Sequence, residues 1–506
     1  MSQVLNGSNL TIDTLVQIAR QQSAVSISAD AKQKLQASRA VVERYINENK
    51  PAYGLTTGLG PSVTYRLSTA ELADFSRQTV RGRANAVGPP LPREQVRAVM
   101  AVRLNGLLQG GAGVSPALAE QLLACLNAGL HPHIPSIGSV GMSDLCQLAH
   151  MGLALMGEGT MEYRGERLPA LQALARCDLA PLMLGPKDGL ALCSNSAVSA
   201  AQAALAWYDA QRVLQLGQIA GALSLEGFRA NLSPFDERAV AARPAPGQQR
   251  AARTVLTILR GSALNTPGTA RRLQDPTSFR CIPQVHGSLY AALDFALPFI
   301  DAELNGAADN PLVLSDDDDI ISTGNFHTSG LGLALETLGQ ALAQLAGLSV
   351  SRCAALLKER LSGLPRNLSP QGGSRSGFAP LLKTADALLA EIRHAALPAP
   401  LEQRWSADGV EDDLSAAPLA GRKLLAMLES LQLLLSIELL IASQAMELAA
   451  ISAPGEGAAA AYRFIRTQVE RLDEDRALGP DVERLAGQLL TEKGLLASVA
   501  TVCPSI

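Results

Sequence analysis

The stretch GSVGMSDLCQLAH, residues 138–150, places a glycine-rich turn directly before an apolar run. Glycine adopts backbone conformations that other residues disfavour, so Gly138 and Gly141 permit a tight turn. Ser143 has the short polar side chain of a helix N-cap, and Asp144 follows as an acidic residue suited to a first turn. We therefore predict a turn that leads into a helix beginning at Asp144, with Ser143 as its N-cap.

Outside this stretch, four segments concentrate residues that can bind or react. They are YGLTTGLG (53–60), GLALCSNS (189–196), RLQDPTSFRCIPQV (272–285) and ISTGNFH (321–327). None of them has the ligand spacing of a metal site, and the chain carries no phosphate-loop or dinucleotide fingerprint. We therefore predict no bound metal.

Long helices are the dominant predicted structure. Apolar residues recur at three- and four-residue spacing, which is the pattern of amphipathic helices. The content of 47% hydrophobic and only 4% aromatic residues also favours helix packing. We predict an all-α fold, a bundle of long helices with minor short strands. The predicted helices cover 11–22, 29–47, 68–82, 93–108, 197–223, 330–361, 378–394 and 420–450, and the short strand signals lie at 159–164, 311–314 and 320–322.

The net charge and the cysteine pattern limit the classes of binding partner and indicate the cellular compartment. The net charge is −4 and the pI is about 6.0, which argues against nucleic acid or an anionic membrane as the main partner. Seven cysteines without CxxC pairs are typical of reduced thiols, and the N-terminus shows no secretion signal, so we expect a cytoplasmic protein. The apolar segment 424–450 carries three glutamates, which favours a buried bundle helix over a membrane span.

Together these motifs make the chain resemble the histidine and phenylalanine ammonia-lyase family, over about Tyr53 to Asp412. The resemblance implies an almost all-helical fold with a central bundle of long helices. It also implies a homotetramer in which three subunits contribute to each active site. We interpret residues 1–506 as one chain of this type. Residues 1–200 form the N-terminal part with the Tyr-Gly loop and a degenerate prosthetic-group loop, and 201–506 form the central bundle and the C-terminal helices.

The family's electrophile is missing from this sequence. In the family the corresponding run contains Ala-Ser-Gly, which cyclises into methylidene-imidazolone when the glycine nitrogen attacks the carbonyl two residues back. Here the run is Met142-Ser143-Asp144, one residue shorter and without that glycine. We expect no cyclisation, and hence no cofactor. Two neighbouring positions have also changed: Ser194 and Asn195 stand where the family has Asn-Gly, and Thr277 replaces an aromatic residue.

Residues that handle the substrate match the family. Tyr53 aligns with the family's base, Arg280 with the arginine that holds the substrate carboxylate, and Phe326 with the Asn-Phe-His motif. A guanidinium fork suits a carboxylate, although the same fork also serves internal ion pairs. Without the family match, the favoured interpretation of Tyr53 is an anchor of a glycine-rich turn. Asn195 or Ser194 would help to orient the carboxylate.

Two further positions indicate an altered pocket. Glu411 approximately matches the glutamate with which histidine-specific members engage imidazole, and one extra residue in this run leaves its register with Asp412 open. Lys383 lies on the helix that lines the family's side-chain pocket, where it would pair with an anionic ring substituent. The alternative for Lys383 is a surface pair with Asp386 at i,i+3 spacing.

An elimination without the electrophile requires a substrate with its own leaving group. A trimethylammonium departs as neutral trimethylamine, and the betaine that fits the matched residues is ergothioneine, with its carboxylate on Arg280, its sulfur on Lys383 and its imidazole on Glu411. Tyr53 would take the β-proton and thiourocanate would be the product. Two alternatives stay open: a lyase or isomerase without the prosthetic group that acts on another substrate, and a catalytically silent chain that binds a ligand or is the partner subunit of an active lyase.

Overall fold

The computed structural model describes residues 2–399 and 409–504. It is 59% helical with few short strands, which confirms the predicted all-α class. The helices of this described part are α1 (Ile12–Arg20), α2 (Ala29–Asn47), α3 (Leu72–Arg83), α4 (Arg93–Leu107), α5 (Pro116–Ala128), α6 (Leu145–Leu155), α7 (Ala170–Ala175), α8 (Asp188–Cys193), α9 (Ala197–Phe228), α10 (Glu237–Ala241), α11 (Gln248–Ile258), α12 (Thr277–Arg280), α13 (Ile282–Asn305), α14 (Ser329–Leu356), α15 (Glu359–Ser362), α16 (Ala379–Ala395), α17 (Ala417–Leu448), α18 (Glu456–Gln468), α19 (Gly479–Ala486) and α20 (Leu495–Ala500).

The strands are short and pair in small sheets. Strands β1 and β2 are parallel, β3 and β5 are antiparallel, β4, β6 and β7 form a three-stranded antiparallel sheet, and β8 and β9 form a hairpin. Their bounds are β1 (Gln3–Leu5), β2 (Val25–Ile27), β3 (Val87–Pro90), β4 (Leu130–Pro132), β5 (Pro135–Ile137), β6 (Thr160–Tyr163), β7 (Glu166–Pro169), β8 (Leu312–Leu314) and β9 (Asp319–Ile321).

The chain divides into two compact units. Unit 1 contains residues 1–208, 296–335 and 398–422, and unit 2 contains residues 209–295, 336–397 and 423–506. In unit 1, α1 packs on α4, and α3, α6 and α8 pack against one another. Loops that leave these elements, at 51–60, 138–144, 194–196, 322–328 and 410–413, supply the candidate site.

Helix capping explains several of the boundaries. The Ser28 hydroxyl accepts a hydrogen bond from Ala31 N and begins α2, and Thr11 does the same for α1. The predicted helix at 68–82 begins four residues later, at Leu72. Ser68 and Glu71 do pair, since the Ser68 hydroxyl donates to the Glu71 carboxylate at 2.6 Å, but they do so before the first helical turn.

The core of unit 2 contains a buried ion pair. Arg352 on α14 donates to both carboxylate oxygens of Glu438 on α17, at 2.5 and 2.9 Å, and the Ser224 hydroxyl on α9 donates to the same carboxylate at 2.8 Å. All three residues are fully buried. Among the described residues, α17 is the one helix long and apolar enough to cross a membrane, and 67% of its most apolar window is buried. Its packing around this ion pair accounts for its composition as a core helix.

Candidate active site

A cavity of about 710 Å³ lies within unit 1, at the loops that carry the sequence motifs. Its lining mixes aromatic, hydroxyl and charged side chains. The lining residues are Tyr53, Leu59, Gly60, Pro61, Val63, Arg83, Met142, Ser143, Leu145, Leu190, Ser194, Asn310, Ser322, Phe326, His327, Val410, Glu411, Asp412 and Asp413. The cavity volume suits a small-molecule substrate.

The phenol of Tyr53 is held by its own loop. The backbone N–H of Gly60 donates to Tyr53 Oη at 2.9 Å and directs a positive dipole at that oxygen. Gly54 has φ of 61°, and a methyl group there would overlap Leu190 and Leu59. A glycine is therefore required for the loop to pack this closely against α8.

The turn at residues 142–144 lies against the loop before α14. Ser143 has φ of 61° and donates its N–H to the Phe326 carbonyl at 3.1 Å, while Met142 and His327 form an antiparallel bridge. The helix that follows begins at Leu145, not at Asp144 as predicted, and Asp144 occupies the N-cap position that we predicted for Ser143. The Ser143 hydroxyl instead lies 3.5 Å from the Ser194 hydroxyl.

Asp144 is anchored at the start of a second helix. Its fully buried carboxylate accepts hydrogen bonds from the Ser199 N–H at 2.8 Å and from the Ser199 hydroxyl at 3.0 Å, in the first turn of α9. Burial raises the pKa of this carboxyl, and the bonds from Ser199 offset part of the rise. Burial together with the Asp144 charge also raises the pKa of Glu303 to about 7.

The residues of this turn do not fit the family's prosthetic group. The atom in the position of the ring-forming nitrogen is Asp144 N, and its N–H donates to the Asn195 carbonyl at 2.7 Å. Attack on the Met142 carbonyl would require this bond to break and the buried carboxylate to leave Ser199. Glycine, with no side chain to anchor, carries no such cost.

The two positions that replace Asn-Gly have different surroundings. Ser194 lines the cavity, whereas Asn195 is 4% exposed and is absent from the cavity lining. Asn195 contacts the turn at 142–144 through its backbone carbonyl, which accepts a hydrogen bond from the backbone N–H of Asp144. Its side-chain Oδ1 is buried and has no hydrogen-bond partner among the described residues.

A cluster of carboxylates forms another part of the lining. Both Glu411 and Asp412 line the cavity, with Glu411 the less exposed of the two, and Asp413 lies beside them. His327 Nε2 lies 3.4 Å from the Asp413 carboxylate. Residues 405–408 of the same predicted run lie outside the described residues. In the part that is described, no group of three or more His, Cys, Asp or Glu is arranged to hold a metal ion.

Arg280 and Lys383 belong to unit 2 and are not among the residues that line this cavity. Arg280 Nε donates to the Asp275 carbonyl at 2.8 Å. Lys383 is exposed on α16, and no ion pair between Lys383 and Asp386 is present within the described ranges.

Arg83 is a cavity residue that the sequence did not reveal. It ends α3, is half-buried, lines the cavity and donates to the Thr79 carbonyl at 3.5 Å. Burial raises the pKa of the Cys146 thiol, while the nearby Arg83 charge lowers it and the Glu411 carboxylate raises it. Arg83 and Glu411 both line the cavity, and both charges act on this thiol. A lone arginine at a helix end is common on protein surfaces, so no sequence pattern marked it.

Comparison with known proteins places this site in a family. The sequence matches the family described as aromatic amino acid lyase over residues 10–467. It is 38% identical to histidine ammonia-lyase of Alkaliphilus metalliredigens over 490 residues, covering 97% of each chain. It is also 38% identical to histidine ammonia-lyase of Symbiobacterium thermophilum over 503 residues, covering 99% of each.

Solved structures agree with this assignment. Ergothionase from Treponema denticola, solved with desmethyl-ergothioneine sulfonic acid, matches with a TM-score of 0.92 and 31% identity over 99% of each chain. Tyrosine aminomutase from Streptomyces globisporus matches with a TM-score of 0.94 and 30% identity, over 100% of this chain and 99% of that one. The chain belongs to the aromatic amino acid lyase family.

Proposed function

We propose that this protein is a carbon–nitrogen lyase that eliminates trimethylamine from ergothioneine and gives thiourocanate, without a methylidene-imidazolone group. It would then have the activity named for its structural relative, ergothionase. The observation that carries the proposal is the anchoring of Asp144 by Ser199 beside a cavity that retains Tyr53. This anchoring disfavours formation of the electrophile, while the retained tyrosine supports an elimination.

The reaction balances without covalent activation of nitrogen. Tyr53 removes a proton from the β-carbon, and the electrons of that C–H bond form the new double bond. The bond between the α-carbon and nitrogen breaks, and its electron pair leaves with trimethylamine as a neutral product. An ordinary α-amino group would depart far less readily, which is why the family's usual substrates need an electrophile.

The geometry around Tyr53 suits a base. Its phenol oxygen must carry negative charge after losing its own proton, and the Gly60 N–H points at that atom. Phe326, Asp412 and Asp413 line the cavity, where an aromatic ring and two carboxylates would attract a quaternary ammonium. These groups supply the recognition that a betaine requires.

The contacts to the substrate carboxylate and sulfur are completed, in this proposal, by other copies of the chain. Arg280 and Lys383 belong to unit 2 and do not line the cavity of unit 1. The homotetramer that the family resemblance implies, with active sites shared between subunits, supplies both residues from neighbouring chains. Arg83 would then be a cation that each chain contributes to its own cavity. The seven free cysteines support a cytoplasmic location, where thiols stay reduced.

A second candidate function is elimination or isomerisation of a different amino acid. The likeness to tyrosine aminomutase favours it, since that relative shares the fold at a TM-score of 0.94. Because the chain is similar to histidine ammonia-lyases, histidine is also a substrate to be tested. A catalytically silent chain that assembles with an active lyase is the third alternative, and the retention of Tyr53 and Arg280 argues against it.

The test compares ergothioneine with histidine as substrates for the purified protein. We expect trimethylamine and the ultraviolet band of thiourocanate from ergothioneine, and no ammonia from histidine. Ammonia from histidine, with no trimethylamine from ergothioneine, would contradict the proposal.

The base is tested with a pair of tyrosine variants. Tyr53→Phe should lower trimethylamine release by about 100-fold or more, the usual contribution of a positioned general base. Tyr45→Phe is the matched control, because that hydroxyl donates to Asp319 at 2.6 Å and does not line the cavity. Full activity in Tyr53→Phe would remove Tyr53 from the mechanism.

A further inference from the structure

Arg103 is a fully buried arginine beneath the candidate site, in the middle of α4. Its Nη2 donates to two acceptors, the Ala191 carbonyl and the Asp309 carboxylate, the latter at 3.0 Å. Both members of the Arg103–Asp309 ion pair are shielded from solvent, with side-chain exposures of 0% and 2%. Such a pair is costly to break, because removing one charge leaves the other buried and alone.

The two acceptors belong to segments that form the cavity wall. Ala191 lies in α8, which leads directly into Ser194 on the lining. Asp309 precedes Asn310, which also lines the cavity. A single nitrogen of Arg103 therefore connects two segments that are far apart in sequence and adjacent at the site.

The rest of the guanidinium borders a small space that the Asn195 side chain also borders. A methyl group on Gly106 would lie 3.2 Å from Arg103 Nη1 and 3.6 Å from Asn195 Nδ2, so both side chains border the same small space beside Gly106. Arg103 Nε and Nη1 are buried donors without an acceptor among the described residues, and Asn195 Oδ1 and Asp309 Oδ2 are buried acceptors without a donor there. Donors and acceptors are complementary, and buried groups of this kind pair directly or through one ordered water.

We infer that Arg103 is a positioning residue for the reaction, and that it acts by fixing the amide of Asn195 from behind. The backbone carbonyl of Asn195 accepts a hydrogen bond from the backbone N–H of Asp144 at 2.7 Å. Asp144 directly follows Ser143, which lines the cavity. The guanidinium thus holds the Ser194–Asn195 turn, the Asp309–Asn310 turn and, through Asn195, the turn at Ser143. This role does not depend on which amino acid or betaine occupies the cavity.

The experiment compares Arg103→Lys with Arg97→Lys. Arg97 is the matched control because it lies on the same helix, is 3% exposed, and donates to the backbone carbonyls of Ile18 and Leu126, away from the cavity. Lysine keeps the charge but carries its donors on one nitrogen, so it cannot reach Ala191 and Asp309 and also place a second nitrogen beside Asn195. We expect Arg103→Lys to lower kcat by about 10- to 100-fold with little change in KM, the effect of misplacing a site wall by a fraction of an ångström. Arg97→Lys should keep the kcat of wild type per folded chain.

Coupling to Asn195 separates positioning from general stability. The effects of Arg103→Lys and Asn195→Ala on kcat should be far less than multiplicative, because both remove the same contact. The effects of Arg97→Lys and Asn195→Ala on kcat should be multiplicative. Equal losses of kcat in the two lysine variants, or independent effects of Arg103→Lys and Asn195→Ala, would overturn the inference.

Two further measurements keep the test decisive. If Arg103→Lys does not fold, Gly106→Ala probes the same space without removing a charge, and it should also lower kcat. If wild type releases no trimethylamine from ergothioneine, the proposed function fails, but hydrogen exchange still tests Arg103. Peptides covering 188–196 and 309–314 should exchange faster in Arg103→Lys than in Arg97→Lys, and equal exchange would count against the inference.

Discussion

The Asp144 carboxylate accepts two hydrogen bonds from Ser199, one from the backbone N–H at 2.8 Å and one from the hydroxyl at 3.0 Å. Ser199 lies in the first turn of the 32-residue helix α9, whose positive end favours a carboxylate. Asp144 is also the N-cap residue of α6. The residue therefore joins two helix starts beneath the turn at 142–144: its backbone occupies the N-cap position of α6, and its carboxylate accepts from the first turn of α9.

Removing this carboxylate should destabilise the fold strongly. We expect Asp144→Ala to lower the free energy of unfolding by about 2–4 kcal/mol, because α9 loses a cap and buried N–H groups lose their acceptor. Ser199→Ala is the control: it removes the hydroxyl but keeps the backbone N–H, and it should cost about 1 kcal/mol. Urea denaturation measures both. A smaller loss in Asp144→Ala than in Ser199→Ala would show that the carboxylate is not the anchor.

The buried Lys187 should make stability depend on alkaline pH. Its Nζ donates to the carbonyls of Ala112 and Pro311, and desolvation lowers the pKa of its ammonium to about 8. In the unfolded chain the pKa of lysine is about 10.4, so between pH 8 and about 10.4 the unfolded state binds more protons. The free energy of unfolding contributed by this group therefore rises with pH across that window.

Comparison of wild type with Lys187→Met isolates the contribution of Lys187 to the pH dependence of stability, because the two proteins share all other titrating groups. Between pH 8 and 10 wild type should gain stability relative to the variant in urea denaturation. Parallel pH profiles for the two proteins would mean that the pKa of Lys187 is not lowered in the folded state.

Much of the fold follows from apolar periodicity, and its failures have physical causes. The predicted helix at 29–47 coincides with α2, and 93–108 overruns α4 by one residue. Helix α13 (Ile282–Asn305) is absent from the predictions, and it contains Pro298 in its interior, a residue that disfavours a helical pattern. Packing in the core overrides that local preference. Short strands such as β1 and β2 contain too few residues for an alternation of apolar and polar side chains to be detected.

Some residues of the candidate site could be predicted from sequence motifs, whereas others could not. Motif-bearing loops identify Tyr53, Ser143, Phe326 and Glu411, and the structure brings all four to one cavity. Arg103, by contrast, is indistinguishable in sequence from any helical arginine, since its role depends on contacts with segments about 90 and 200 residues away. Long-range contacts of that kind leave no local pattern.

Arg83 should recognise the ring end of the substrate. It lines the cavity together with Glu411, so we expect it to contact the sulfur of ergothioneine beside the Lys383 that a neighbouring chain supplies in this proposal. Arg83→Met should raise KM for ergothioneine about tenfold or more, the cost of losing a charge-assisted bond. Arg81→Met is the control, because Arg81 lies on the same helix and pairs with Glu158 at the surface.

A sulfur-free substrate separates the two possible contacts of Arg83. Trimethylhistidine keeps the carboxylate and the trimethylammonium but has no sulfur. Arg83→Met should therefore impair ergothioneine more than trimethylhistidine, as judged from KM for each. Equal impairment of both betaines would assign Arg83 to the carboxylate instead.

Shared active sites predict complementation between inactive variants. Tyr53 lies in unit 1 and Arg280 in unit 2, and the proposal takes them from different chains at each site. Mixed oligomers of Tyr53→Phe and Arg280→Ala, formed by co-expression, should regain trimethylamine release because some sites contain neither substitution. The control pair, Tyr53→Phe with Glu411→Gln, places both changes on residues of one cavity and should regain little. Activity no higher than the sum of the separate variants would argue against shared sites.

The most direct test of elimination without the prosthetic group is the intact mass of a preparation that has been shown to release trimethylamine. Forming methylidene-imidazolone removes one water on cyclisation and another on loss of the serine hydroxyl. Because Asp144 N donates to Asn195 and its carboxylate is anchored by Ser199, we predict that the active protein has the unmodified mass of its sequence. An active protein lighter by two waters per chain would contradict elimination driven by the leaving group alone.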